Sequence, residues 1–233
     1  SPSFFSSHSG KDALASLGME KLDLTSLKNE IVTNLENDKH SYVIYACDAR
    51  TLLLFTESNK YIYEPYLAAN KILSDGRPIY WLVKSMTGLL FEQITGPGLI
   101  KVALEDEYFK NKRHMFYGGT PETISSLRLK CKMEKVNLVS AESPPFLDVD
   151  ELDVSSVNRK IKDLDVDFFW CGLGAPKQEY LIYQLDKRQK TVMIGVGLAF
   201  DYYAGIVKES PTYFSKFGLE WMVRYAQQPK RIR

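Results

Sequence analysis

The short apolar run Val166–Cys171 ends in two glycines one residue apart, Gly172 and Gly174, and passes through Pro176 into Lys177, Gln178 and Glu179. A run of that length carrying Phe168, Phe169 and Trp170 reads as a buried strand. The glycines let the backbone turn sharply and let a ligand come close. Pro176 suits a first helical turn, where its missing N–H has no intrahelical partner to lose. A helix amino end at the end of a buried strand is a ready site for an anion.

The same grammar recurs along the chain. His114–Tyr117 runs into Gly118 and Gly119, then Pro121, and the last apolar run, Thr191–Gly197, carries Gly195 and Gly197. Further strands are predicted over Ser41–Cys47, ending at Asp48, and over Lys135–Ser140. Helices are predicted from a Thr25 or Ser26 cap through Leu27, Ile31 and Leu35, and then over Arg50–Thr56 and Glu64–Ile72. Others are expected from Pro78 toward Leu90, from Pro97 or Gly98, from Pro121 to about Met133, and over Glu151–Leu164 and Lys177–Lys187. Alternating strands and helices with short connections predict an α/β fold: a Rossmann-like parallel sheet with helices on both faces. Ligands in such sheets sit beyond the carboxyl ends of the strands, so all three glycine turns fall on one edge.

At 233 residues and 45% hydrophobic content, the chain can bury one large core. Its 30 basic and 29 acidic residues nearly cancel, which gives no general affinity for nucleic acid. Cys47, Cys131 and Cys171 are scattered and uneven in number, as expected of free buried thiols in a reducing compartment. No apolar run approaches the roughly 20 residues that span a bilayer. Residues 1–22 read as a flexible N-terminal segment, 23–208 as the α/β catalytic domain, and 209–233 as a C-terminal helical appendage rich in aromatics and cations. In that appendage Tyr213, Phe214, Phe217, Trp221 and Tyr225 recur at helical spacing beside Lys216, Arg224 and Arg231. The set suits core packing with a solvated basic end; it equally suits a helix lying in a membrane interface against anionic headgroups.

Several side chains admit two readings. Asp75 in Ser74-Asp-Gly-Arg-Pro78 is a turn residue or a general base at the sheet edge. Asp201 is a helix cap or a partner for ribose or sugar hydroxyls. Asp163, Asp165 and Asp167 make overlapping DxD spacings, which hold a metal only if the oxygens converge; capping is the plainer role. The dispersed His8, His40 and His114 do not make a zinc site. The glycine pair at 172 and 174 lacks the third glycine of a dinucleotide fingerprint, since Lys177 stands there.

Three ordered motifs carry a resemblance: Gly172-Leu-Gly-Ala-Pro-Lys-Gln-Glu179, Gly195-Val-Gly-Leu-Ala-Phe-Asp201 with Tyr202 to Gly205, and Leu219-Glu-Trp221 with Arg224 and Pro229-Lys-Arg231. From about Leu24 to its C-terminus the chain resembles the WecG/TagA/CpsF glycosyltransferases. The resemblance implies transfer of a sugar, with inversion, from a UDP-sugar to a polyprenyl-diphosphate-linked saccharide in surface polysaccharide assembly of the exopolysaccharide, capsule or teichoic acid type. It implies Asp75 as the general base. Gly118, Gly119, Gly172, Gly174, Gly195 and Gly197 then border the donor, as do Pro176, Lys177, Gln178, Glu179 and Asp201. Arg224 and Arg231 fall to the diphosphate or the acceptor. No metal site and no essential cofactor are expected. The implied location is cytoplasmic, peripheral on the inner face of the plasma membrane, and a homo-oligomer is compatible with it. The chain departs from the family pattern at Tyr45-Ala-Cys47, where many relatives carry Thr-x-Asn. The rival readings are a non-catalytic nucleotide-binding scaffold of a polysaccharide assembly complex and, less in keeping with Lys177, a nicotinamide dehydrogenase.

Overall fold

The computed structural model describes residues 23–37, 39–88 and 92–207. The N-terminal segment 1–22 and the appendage 209–233, with Arg224 and Arg231, lie outside the described residues. In chain order the elements are α1 (Leu24–Asn37), β1 (Tyr42–Cys47), α2 (Ala49–Thr56), α3 (Tyr63–Leu67), β2 (Lys71–Ser74), α4 (Arg77–Thr87), α5 (Gly96–Glu105) and α6 (Glu107–Lys110). There follow β3 (His114–Gly118), α7 (Pro121–Met133), β4 (Leu138–Glu142), a 3-10 turn (Val149–Glu151), α8 (Val154–Asp163), β5 (Phe168–Gly172), α9 (Lys177–Gln184), β6 (Val192–Gly195) and α10 (Ala199–Tyr203). All strand pairs are parallel, in the order β2-β1-β6-β5-β3-β4.

The sheet is buried on both sides, as its apolar strands demand. Alternate residues of each strand serve opposite faces. On β5, Phe168 and Trp170 join one core with α1, α5, α6, α7 and α10, while Phe169 and Cys171 join another with α2, α3, α4, α8 and α9. His114 on β3 stacks on Phe168, ring centroids 4.9 Å apart. Its Nδ1 accepts from Trp170 Nε1 (3.0 Å), which leaves Nε2–H to donate to the Phe109 carbonyl (2.9 Å). Burial holds the imidazole neutral, with its pKa pushed down to about 4. The three cysteines are free and buried, and burial raises every thiol pKa.

The structure corrects several boundaries. Lys71 and Ile72, placed at the end of the helix expected over Glu64–Ile72, belong instead to strand β2, Lys71–Ser74, paired only with β1. The helix stops at Leu67, and Asn70 brings the chain into register: its N–H donates to Val43 O, and its side-chain oxygen accepts from Val43 N. The first helix is capped by Asp23, which accepts from Ser26 N–H, and not by Thr25 or Ser26. Strand β4 sits three residues later than Lys135, because Lys135 takes a positive φ that ends α7. The predicted helix from Glu151 starts at Val154, capped by Asp153, after the separate 3-10 turn. The helix from Pro78 ends at Thr87, before Leu90, with Gly88 in the left-handed conformation.

Candidate active site at the carboxyl ends of β1 and β6

A parallel sheet opens a crevice where neighbouring strands send their chains to opposite faces. Several neighbouring pairs do so here, and two of them, β3/β5 and β1/β6, bear on the glycine turns. After β3 the chain climbs to α7 on one face, and after β5 it goes to α9 on the other. This crevice is closed. A Cβ on Gly118 (φ +121°) would lie 2.5 Å from the Gly172 carbonyl carbon, and one on Gly172 would lie 2.4 Å from the Phe200 ring. These glycines let β3, β5 and α10 touch; they do not leave room for a ligand.

The second divergence, between β1 and β6, is open. After β1 the chain enters α2, and after β6 it enters α10 on the opposite face. The resulting cleft has a cavity volume of about 140 Å³. One wall carries Ala46, Asp48, Arg50 and Thr51, and another Val196, Gly197, Leu198, Ala199 and Tyr202. Asp75 from the end of β2, Pro97 from α5, and Gly174, Ala175 and Gln178 from the β5–α9 turn complete it.

Three helices of eight to ten residues bring their amino ends here: α2, α5 and α9. Each amino end brings the partial positive charge of its helix, so the cleft suits an anion with several oxygens. At α2 the cap consumes part of that capacity, because Asp48 Oδ1 accepts from Thr51 N (2.8 Å) and Thr51 Oγ1 (2.6 Å). Arg50, exposed on the first turn of α2, adds a full cation. Thr95 caps α5 by accepting from Gly98 N–H. The first residue of α5 packs tightly: a Cβ on Gly96 would lie 3.3 Å from Val196 O and 3.7 Å from Ala46 Cβ. Asp75 is half-buried where β2 ends, its N–H donating to Cys47 O (2.9 Å).

Of the residues singled out in the sequence, the cleft gathers Asp75, Gly174, Gln178 and Gly197. Gln178, buried at 3% exposure, braces its wall: Oε1 accepts from Gly197 N (2.8 Å) and Nε2 donates to Glu179 Oε1 (2.9 Å). Gly195 lies beneath, where a Cβ would meet the Tyr45 ring at 3.0 Å and Gln178 Nε2 at 3.3 Å. Pro176 is the cap residue of α9, and Lys177 holds its ammonium 3.6 Å from the Phe146 ring centroid. Neither of these two lines the cleft. Asp201 is buried on α10 and accepts from Thr123 Oγ1 (2.6 Å), tying α10 to α7. Gly118, Gly119 and Gly172 stand at the closed crevice. Asp167 is occupied in accepting from Arg113 N–H, and none of the three DxD acids reaches the cleft. Among the described residues no group of three or more His, Cys, Asp or Glu is placed to hold a metal ion. Asp48, Arg50 and Tyr202 were not singled out. The first two directly follow a buried apolar strand, which is the signal that could have found them.

Glu179 is fully buried, and its Oε2 has no hydrogen-bond partner. Burial pushes its pKa up to about 7, the hydrogen bond from Gln178 opposing and the nearby Asp48 adding to the rise.

The fold and cleft define an α/β protein with a cleft open at the strand ends. The chain matches the glycosyl transferase WecG/TagA/CpsF family over residues 13–233, and it belongs to that family. It is a glycosyltransferase. It is 29% identical to the N-acetylglucosaminyldiphosphoundecaprenol N-acetyl-beta-D-mannosaminyltransferase of Bacillus spizizenii over 214 residues, covering 91% of this chain and 81% of that protein. A protein of the same name from Staphylococcus aureus is 24% identical over 223 residues, covering 91% of this chain and 87% of the relative. No helix among the described residues is long and apolar enough to cross a membrane.

The two buried titrating groups pull stability in opposite directions. His114, lowered from 6.5 to about 4, binds protons more tightly when unfolded and makes stability rise with pH across that window. Glu179, raised from 4.5 to about 7, binds protons more tightly when folded, so its contribution is full below about 4.5 and lost as pH climbs to about 7. Glu179→Gln should remove the second effect. Thermal melts from pH 4 to pH 8 should then show the variant gaining on wild type as pH rises, by on the order of 3 kcal/mol. A constant gap across that range would contradict the buried ionising carboxyl.

Proposed function

We propose that the chain transfers an N-acetylhexosamine from a UDP-sugar to a polyprenyl-diphosphate-linked saccharide, with inversion, during assembly of a surface polysaccharide. The observation that carries this reading is the convergence of Asp75 with the amino ends of α2, α5 and α9 in one cleft. Direct displacement needs a base on one side of the sugar carbon and anion stabilisation on the other. Asp75, at the β2 side, takes the proton of the acceptor hydroxyl as its oxygen attacks the anomeric carbon. The bond from that carbon to the UDP oxygen breaks, and the electron pair leaves with the diphosphate. Backbone N–H groups at the Gly174–Ala175 turn, the positive end of the α5 helix and the Arg50 guanidinium receive that charge. These donors sit still while the charge develops, which is what makes them effective. The mannosaminyltransferase names of the relatives support N-acetylmannosamine as the sugar and a lipid-diphosphate N-acetylglucosamine as the acceptor. A lipid-borne acceptor suits work at the cytoplasmic membrane surface, and Arg224 and Arg231 are the candidates to meet its diphosphate.

Asp75→Asn should keep UDP affinity while transfer falls by about 10²–10⁴-fold, the usual worth of a general base. Calorimetry with UDP and a transfer assay on a synthetic lipid-diphosphate saccharide read the two separately. Full transfer in the variant would remove Asp75 from the mechanism. Wild type that binds UDP but transfers nothing from any UDP-sugar would favour the scaffold. The membrane part has its own test, in which full chain and a chain ending at Lys208 are sedimented with anionic vesicles. Loss of co-sedimentation on truncation is expected; equal sedimentation would refute docking through residues 209–233.

A further inference from the structure

Glu179 is an unusual residue to bury. It sits on α9 among Tyr45 and Cys47 of β1, Tyr66 of α3 and Cys171 of β5, whose titrations all feel it. The only other charged group acting on it among the described residues is Asp48, which is like-charged. A buried carboxyl without a cation is a poor source of stability, and an apolar side chain of similar volume commonly does as well or better. Its reason for being there is to be sought in what it touches.

It touches the Gln178 amide. Nε2 of Gln178 donates to Glu179 Oε1 at 2.9 Å, and Oε1 of Gln178 accepts from Gly197 N at 2.8 Å. An amide has one accepting and one donating end. Turned over, Gln178 would set its NH₂ against the Gly197 N–H and its oxygen against the carboxyl oxygen. While Glu179 is ionised both contacts would be lost. The carboxyl is therefore what fixes the sense of the amide, and the amide is what holds Gly197 and the cleft wall running to Ala199.

We propose that Glu179 is a positioning residue of the donor site: its buried carboxyl orients the Gln178 amide, which pins the Gly197 N–H and so sets the wall that the donor meets. This rests on the reading of the cleft as the UDP-sugar site. Tyr45 and Cys47 form part of the apolar jacket around that carboxyl and not part of the cleft lining. The Tyr45 hydroxyl donates to the Glu179 carbonyl at 3.3 Å, further fixing the residue.

The test uses the full chain, with UDP as the calorimetric probe and the transfer assay beside it. Glu179→Met should melt no lower than wild type at pH 8 yet bind UDP about tenfold more weakly, the effect of one lost hydrogen bond to the wall. The loss should appear in KM more than in kcat. Glu179→Gln, whose carbonyl oxygen can still accept from Gln178, should recover most of the affinity. Gln178→Met should lose as much as the double variant Gln178→Met/Glu179→Met, because the two residues act in series. If Glu179→Met does not fold, Glu179→Asp poses the same question, since its shorter arm withdraws the carboxyl from Gln178. Wild-type UDP affinity in a folded Met or Asp variant overturns the inference while leaving the donor site standing. Failure of the wild type itself to bind UDP overturns both.

Discussion

Parallel pairing is the constraint on which everything else depends. Six parallel strands put all their carboxyl ends on one edge, and the helices that follow them begin at that edge. Helix amino ends, with their unmet N–H groups, are thereby collected in one place. Which part of the edge can hold a ligand is then decided by sterics. The β3/β5 crevice is shut by the contact between Gly118, Gly172 and Phe200, whereas the β1/β6 crevice keeps a cavity of about 140 Å³. The glycines at the closed crevice and the glycines at the open one look alike in sequence and do different things.

The alternation of apolar runs and helices was legible because the strands are buried on both faces and therefore nearly continuous in hydrophobicity. Lys71–Ser74 escaped notice because four residues at a sheet edge cannot establish a period, and the neighbouring Tyr66 and Ile72 fit a helix as well as a strand. Of the site, Asp75, Gly174, Gln178 and Gly197 were readable from turn chemistry and motif. Asp48 and Arg50 were not, since their importance comes from β1 lying beside β6, a neighbour 150 residues away in the chain. Asp201 shows the converse. A conspicuous acid in a conspicuous motif is spent on Thr123, bracing two helices, a role visible only once α7 and α10 are packed together.

The cleft also shows how polar chemistry is supported from below. Asp48 and Thr95 satisfy the amino ends of α2 and α5, and Gln178 ties the α9 helix to the β6 turn. Beneath Gln178 lies a carboxyl in an apolar setting, which titrates where exposed glutamates do not. On the other face of the same sheet, His114 is held neutral between Trp170 and the Phe109 carbonyl, and it serves packing alone. Two buried ionisable groups thus have opposite uses, and what separates them is the next hydrogen bond along: one leads to backbone, the other to the cleft.

The central claim is that the donor diphosphate lies between β1 and β6. A structure of the chain with UDP tests it most directly. The diphosphate should lie between Arg50, the amino end of α5 and the Gly174–Ala175 turn, within reach of the Gly197 wall. A nucleotide found instead beside Gly119 and Thr120, at the β3/β5 turns, would contradict it.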